Sequence, residues 1–208
     1  MAEAKKDGKK VGQVKLIDVR GSFLRLFEPS KSTEEGRETF KANFLIDPST
    51  PSGKKNKKAC EDMLAEIKRL TWKEKADKIK IKEDRVCFRE GDTFVGAESG
   101  EIYDGYENMW VVVSANQSRP TVIGRNREPL VDKDGVIYSG CYLNAIVRFY
   151  AVTDQAKGGN GVFASLEGVQ FVRKGEAFGN APISADEFDD LGDEEGEDGL
   201  DDDPDDMI

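Results

Sequence analysis

The clearest alternation of apolar and polar positions runs over residues 142–153. There Leu143, Ala145, Val147, Phe149 and Ala151 share one face, while Tyr142, Asn144, Ile146, Arg148 and Tyr150 share the other. A period of two is the signature of a strand with one face in a core. Residues 39–47 repeat it, with Phe40, Ala42, Phe44 and Ile46 opposite Thr39, Lys41, Asn43 and Leu45. Residues 14–19 and 22–27 predict two strand segments joined at Arg20-Gly21, the glycine marking a bulge or bend in one long curved strand. Residues 108–115, NMWVVVSA, predict a strand from their β-branched and aromatic content. After the glycine-rich turn at 157–161, residues 162–166 and 168–173 predict the last two strand segments.

One stretch has a different period. Cys60, Met63, Leu64, Ile67 and Thr71 recur at helical spacing with lysines around the rest, and Thr50-Pro51 supplies a cap and a first helical residue. Residues 72–101 carry weaker signals, a helical continuation and then a short strand near 85–88. Residues 117–134 read as a loop. Short strands, one central helix and no β-α-β-α alternation predict a mainly β protein, an OB-fold-like small barrel with one inserted helix. A β-sandwich carrying one helix fits the same periodicity. The expected organisation is a flexible basic leader over 1–10, a folded body over 11–179 and a disordered acidic tail over 180–208.

Charge changes the picture. The chain carries 31 basic and 41 acidic residues, a net of −10, but fourteen of the acids lie after Ala185 with no Lys or Arg among them. The remaining body holds 27 acids against 31 bases, a net of +4. A basic body with an acidic appendage suits a protein that binds a polyanion and carries a mimic of it. No apolar run approaches the roughly 20 residues that cross a bilayer, so no membrane association is expected. Cys60, Cys87 and Cys141 are odd in number and far apart in sequence, which points to a reducing compartment.

Catalysis has little to stand on, and no enzyme is expected. The chain has no His, no phosphate-cradling glycine loop, and neither a zinc nor a calcium spacing, so no cofactor or metal is expected. Glu66-Ile-Lys68 has the shape of a nuclease fragment, but lies in the predicted helix rather than on a strand. Binding has more support. Phe23, Arg25 and Phe27 place aromatic, cation and aromatic on one strand face, and Tyr142, Arg148 and Tyr150 do the same on another. Exposed rings stack bases without sequence choice while cations follow phosphates. Lys41 and Trp110 on neighbouring strands extend such a platform, and Arg119, Arg125 and Arg127 make the 117–127 loop a candidate phosphate clamp. The competing reading buries Phe23, Phe27 and Trp110 in a second core beneath the helix.

The segments SGCYLNAIVRFYAV and GGNGVFASLEGVQFVRKGEAFG, followed by an acidic tail, resemble the phage-encoded single-stranded DNA-binding proteins of the OB-fold kind, related to replication proteins of T7-like podophages. The resemblance is strongest over residues 106–179. It implies an OB barrel that coats single strands in replication and recombination, in the cytoplasm of an infected bacterial host. It also implies that the tail competes with DNA for the groove and recruits replication proteins, here through Asp201, Asp202, Asp203, Asp205, Asp206, Met207 and Ile208. The tail ends in Ile208 rather than in the aromatic residue common in the group. Homo-oligomerisation stays open, and the alternative function is an acidic-tailed chaperone or assembly factor with no nucleic-acid groove.

Overall fold

The structure is a computed structural model that describes residues 11–31, 34 and 36–179. The expected leader and acidic tail lie outside the described residues. Seven strands and one α-helix follow in chain order: β1 (Gln13–Ser30), β2 (Thr39–Ile46), α1 (Pro51–Trp72), β3 (Phe88–Glu90), β4 (Trp110–Asn116), β5 (Thr121–Ile123), β6 (Tyr142–Val152) and β7 (Gly161–Arg173). The sheet order is β3-β4-β2-β1-β6-β7-β5, antiparallel throughout except for β5 on β7.

The hydrogen-bonded ladder is not closed, yet β4 and β7 lie side by side. The seam between them is bridged at two levels. The Asn116 amide donates to the Ser165 hydroxyl and the Leu166 carbonyl, both at 3.0 Å. Below it the Cys87 N–H donates to the Val162 carbonyl at 2.8 Å. The five long strands thus form a curved, partly open barrel of the OB kind, as the strand pattern predicted. Its interior is lined by the expected faces: Leu16, Ala42, Phe44, Leu143, Val147, Phe149 and Leu166 are fully buried.

Helix α1 covers this core with Cys60 and Ile67. Thr50 caps it as expected, its hydroxyl accepting from the Gly53 N–H at 3.0 Å, a contact worth about 1 kcal/mol. Buried Asn56 anchors the helix to β1, accepting from the Ile17 N–H and donating to the Ile17 carbonyl. Those backbone groups are free for a side chain because β1 departs from its ladder with β6 between Leu16 and Val19.

Three sequence expectations need correction. Strand β1 is one long strand, but its irregularities centre on Asp18 and Phe23, whose φ values are 53° and 49°, rather than on Arg20-Gly21. Gly21 keeps regular pairing with Phe44, and its missing side chain makes room for Leu143. The 117–134 segment is not all loop, since β5 pairs in parallel with β7 there. A three-residue strand is too short to show a period. Residues 161–173 form one continuous strand, with irregularities opposite Ile146 and Val147 and opposite Tyr142 and Leu143.

Candidate nucleic-acid interface

The strand face turned away from the barrel interior carries the chemistry. Across β1, β2 and β4, Arg25 pairs with Lys41 and Lys41 with Ala115, while Ser22 pairs with Asn43 and Asn43 with Val113. This places Arg25, Lys41 and Asn43 on one surface, because partners in register share a face. They line an open groove of about 570 Å³ together with Phe23, Thr39 and Ser139, and no carboxylate lines it. Arg25 has no ion pair among the described residues.

One end of the groove is aromatic. Phe23 is 52% exposed although it sits in a strand, because its positive φ turns the chain outward at the irregularity. Positive φ in a bulky residue costs about 1–2 kcal/mol and persists where surrounding packing enforces it. Here the packing comes from the segment between β3 and β4: the Phe23 ring meets Tyr103 at 5.1 Å and Tyr106 at 6.2 Å, both edge-on. Tyr106 is fully buried, and burial pushes its phenol pKa up. Its hydroxyl is held by the Asn43 amide, which donates at 2.9 Å, and by Ser22. A second small core of Leu45, Tyr106 and Val111, flanked by Phe94 and Phe178, backs this corner. Sequence reasoning missed Tyr103 and Tyr106. The available signal was the pair of tyrosines flanking Gly105, whose φ of 75° makes the turn between them.

The remaining sequence candidates divide. Phe27 is half-buried and carries Arg119 over its ring at 5.8 Å, so these two sit together on the far half of β1. Trp110 does not face the groove: it lies on the opposite strand face, stacks on Phe88 at 4.8 Å and is covered by the Lys57 ammonium at 4.3 Å. For Trp110 the buried alternative describes the structure. Tyr142 is held between cations, with Arg173 at 3.3 Å and Arg20 at 5.9 Å from its ring centre. Arg148 does point outward, but its guanidinium donates to the Glu167 carboxylate at 2.8 Å, so its charge is already matched. Tyr150 is 44% exposed and lies beside Phe163. Arg125 and Arg127 are exposed on the turn after β5, apart from the Phe23 groove. Among the described residues no cluster of potential metal ligands exists.

A partly open barrel with a cationic, aromatic-edged groove across three adjacent strands defines an OB-type binding module. The chain belongs to the family described as "Enterobacter phage Enc34, ssDNA-binding protein", whose model matches residues 12–200. It is 39% identical over 188 residues to putative protein p50 of Acyrthosiphon pisum secondary endosymbiont phage 1, covering 86% of this chain and 94% of that protein. Its fold is similar to that of the single-stranded DNA-binding protein from bacteriophage Enc34. The structure of that protein in complex with ssDNA superposes with a TM-score of 0.65 at 23% identity, over 82% of this chain and 91% of the other. A second structure of the same phage protein gives the same TM-score over 86% and 90%.

Proposed function

We propose that this protein binds single-stranded DNA without sequence choice, through the groove on β1, β2 and β4. The observation that carries the reading is the Phe23 ring, forced outward at a strained strand position beside Arg25 and Lys41. Strain at an exposed bulky residue has no stabilising purpose, and a ring beside two cations is the minimal unit for one stacked base and its phosphate. Tyr103 backs Phe23, and Arg119 on Phe27 extends the cationic edge along β1. Family membership and the ssDNA complex of the Enc34 protein support this reading.

The biological setting we infer is phage DNA replication and recombination in the cytoplasm of an infected bacterium. Residues 11–179 serve as the binding body. The tail after Ala185, with fourteen carboxylates against a body of +4, competes for the groove and recruits replication proteins. Tethering gives it a high effective concentration there, so weak contacts suffice.

The test is titration of the full chain, and of a chain ending at Ala185, with labelled oligo-dT and with duplex DNA across a salt series. Preference for the single strand is expected, with a log-log salt slope of about −0.7 per phosphate contacted. The truncated chain should bind more tightly at low salt. Absence of binding to either DNA by the truncated chain would refute the reading and favour a protein partner for the tail.

A further inference from the structure

A second cationic pocket lies on the other half of the barrel, lined by the N-terminal half of β1 and by β5, β6 and β7. Its volume is about 370 Å³. Lys15 comes from β1, Ile146 from β6, Ile123 from β5, and Arg127 from the turn that follows β5. Ile146 is 38% exposed although it belongs to the best-paired strand of the sheet. An exposed apolar floor beneath cations suits a ligand with a flat apolar face and an anionic edge.

The rim is built rather than loose. The Gly124 N–H donates to the Glu128 carbonyl at 2.8 Å, and the Arg127 N–H returns to the Gly124 carbonyl at 3.2 Å. Arg127 holds a φ of 69° in this turn. The Glu128 carboxylate accepts from the Asn126 N–H at 2.9 Å, so it serves the turn's own backbone. From β7 the Gln170 amide donates to the Gly124 and Arg125 carbonyls at 3.4 and 3.3 Å. Gly168 lets β5 lie close to β7, since a side chain there would meet the Thr121 carbonyl at 3.0 Å. The result holds two arginines on a fixed turn. The side chains of Lys15, Arg125 and Arg127 make no hydrogen bond or ion pair among the described residues, and the pocket's own carboxylate, Glu167, is engaged by Arg148. Lys15 and Arg127 line the pocket, and Arg125 is exposed on the same turn outside the lining, so their combined positive potential attracts an anion to this face.

We propose that this pocket is a second nucleotide subsite, in which Lys15, Arg125 and Arg127 hold phosphodiester oxygens and Ile146 and Ile123 seat a base. It rests on the single-strand reading and extends it, because the arginine turn does not close over the Phe23 groove but forms its own site. Strand β1 connects the two. Lys15 and Arg25 are ten positions apart, at most about 33 Å along an extended strand. That length matches a continuous path for the longer of the roughly 4 to 16 nucleotides that an OB fold occupies.

The experiment compares the full chain with its Arg125→Ala/Arg127→Ala variant, using oligo-dT of about 6 and about 16 nucleotides across a salt series. The variant should bind the short oligonucleotide like the parent. It should bind the long one roughly tenfold to a hundredfold more weakly at about 50 mM salt, with a slope shallower by about 1.4 for two lost phosphate contacts. Ile146→Glu, on the same exposed face, should give the same split between lengths. Unchanged affinity and slope on the long oligonucleotide would overturn the second subsite while leaving single-strand binding intact. Equal loss on both lengths would also overturn it, since the turn would then serve the Phe23 groove. A parent chain that binds neither oligonucleotide would instead overturn the single-strand reading itself.

Discussion

Replacing Phe23 by glycine and by alanine separates binding from folding at one position. Full burial of a phenylalanine is worth about 1.5–3 kcal/mol, and this ring is 52% exposed, so either substitution forfeits about half of that. The edge contacts to Tyr103 and Tyr106 add about 0.5–1.5 kcal/mol to the loss. Glycine, however, adopts the φ of 49° freely, which returns about 1–2 kcal/mol of the strain that alanine retains. Its extra unfolded-state entropy takes back about 0.5–1 kcal/mol. Phe23→Gly should therefore be as stable as Phe23→Ala or more so, by up to about 1.5 kcal/mol, in urea melts followed by circular dichroism. Affinity for oligo-dT should nevertheless fall alike in both, by about 1–3 kcal/mol, which is roughly 5-fold to 150-fold. The assay is anisotropy of labelled DNA at fixed salt. If both variants bind within about twofold of the parent, the ring does not stack on a base, and the carrying observation fails. If alanine proves the more stable replacement, the strain argument at Phe23 is wrong.

Further expectations concern the scaffold. Tyr106→Phe removes the acceptor of the Asn43 amide in a fully buried corner and should cost about 1–3 kcal/mol in urea unfolding, with weaker DNA binding because Phe23 loses its support. Asn116→Ala opens the seam between β4 and β7; it should cost about 1–2 kcal/mol and speed amide exchange in β4 and β7 ahead of β1 and β2. Burial pushes the Cys60 thiol from an ordinary value of 9.0 up to about 12, with Cys87 and Cys141 also raised. A raised thiol favours the folded state fully below its unfolded pKa and loses that contribution as pH climbs. Stability should thus be flat in this respect up to about pH 8 and decline from pH 9 towards 12, and a thiol reagent at pH 8 should label the cysteines only as the chain unfolds. A flat stability profile from pH 8 to 11, or rapid labelling of the native protein, would contradict the buried placement.

Much of the fold was legible in the chain because strand period, cap chemistry and helical spacing are local. The alternation at 142–153 and 39–47 marked the barrel's interior correctly, and Thr50-Pro51 marked the start of α1. What failed locally was also local in cause: a three-residue strand such as β5 shows no period, and the bulges of β1 fell on Asp18 and Phe23 because tertiary packing, not glycine, chose them. For the site, sequence named the right kinds of residue but could not group them. Which face of a strand is covered depends on elements distant in the chain, and α1 with Phe88 took Trp110 while Glu167 took the charge of Arg148. The sequence by itself determined a basic, mainly β body with one helix and an acidic appendage, since those follow from composition and short-range period. Only the tertiary structure decided that Phe23, Arg25 and Lys41 share a groove, and that Lys15 and Arg127 line a separate pocket. Register between strands and packing of the segment before β4 bring those side chains together, and neither is written in any short window of the chain.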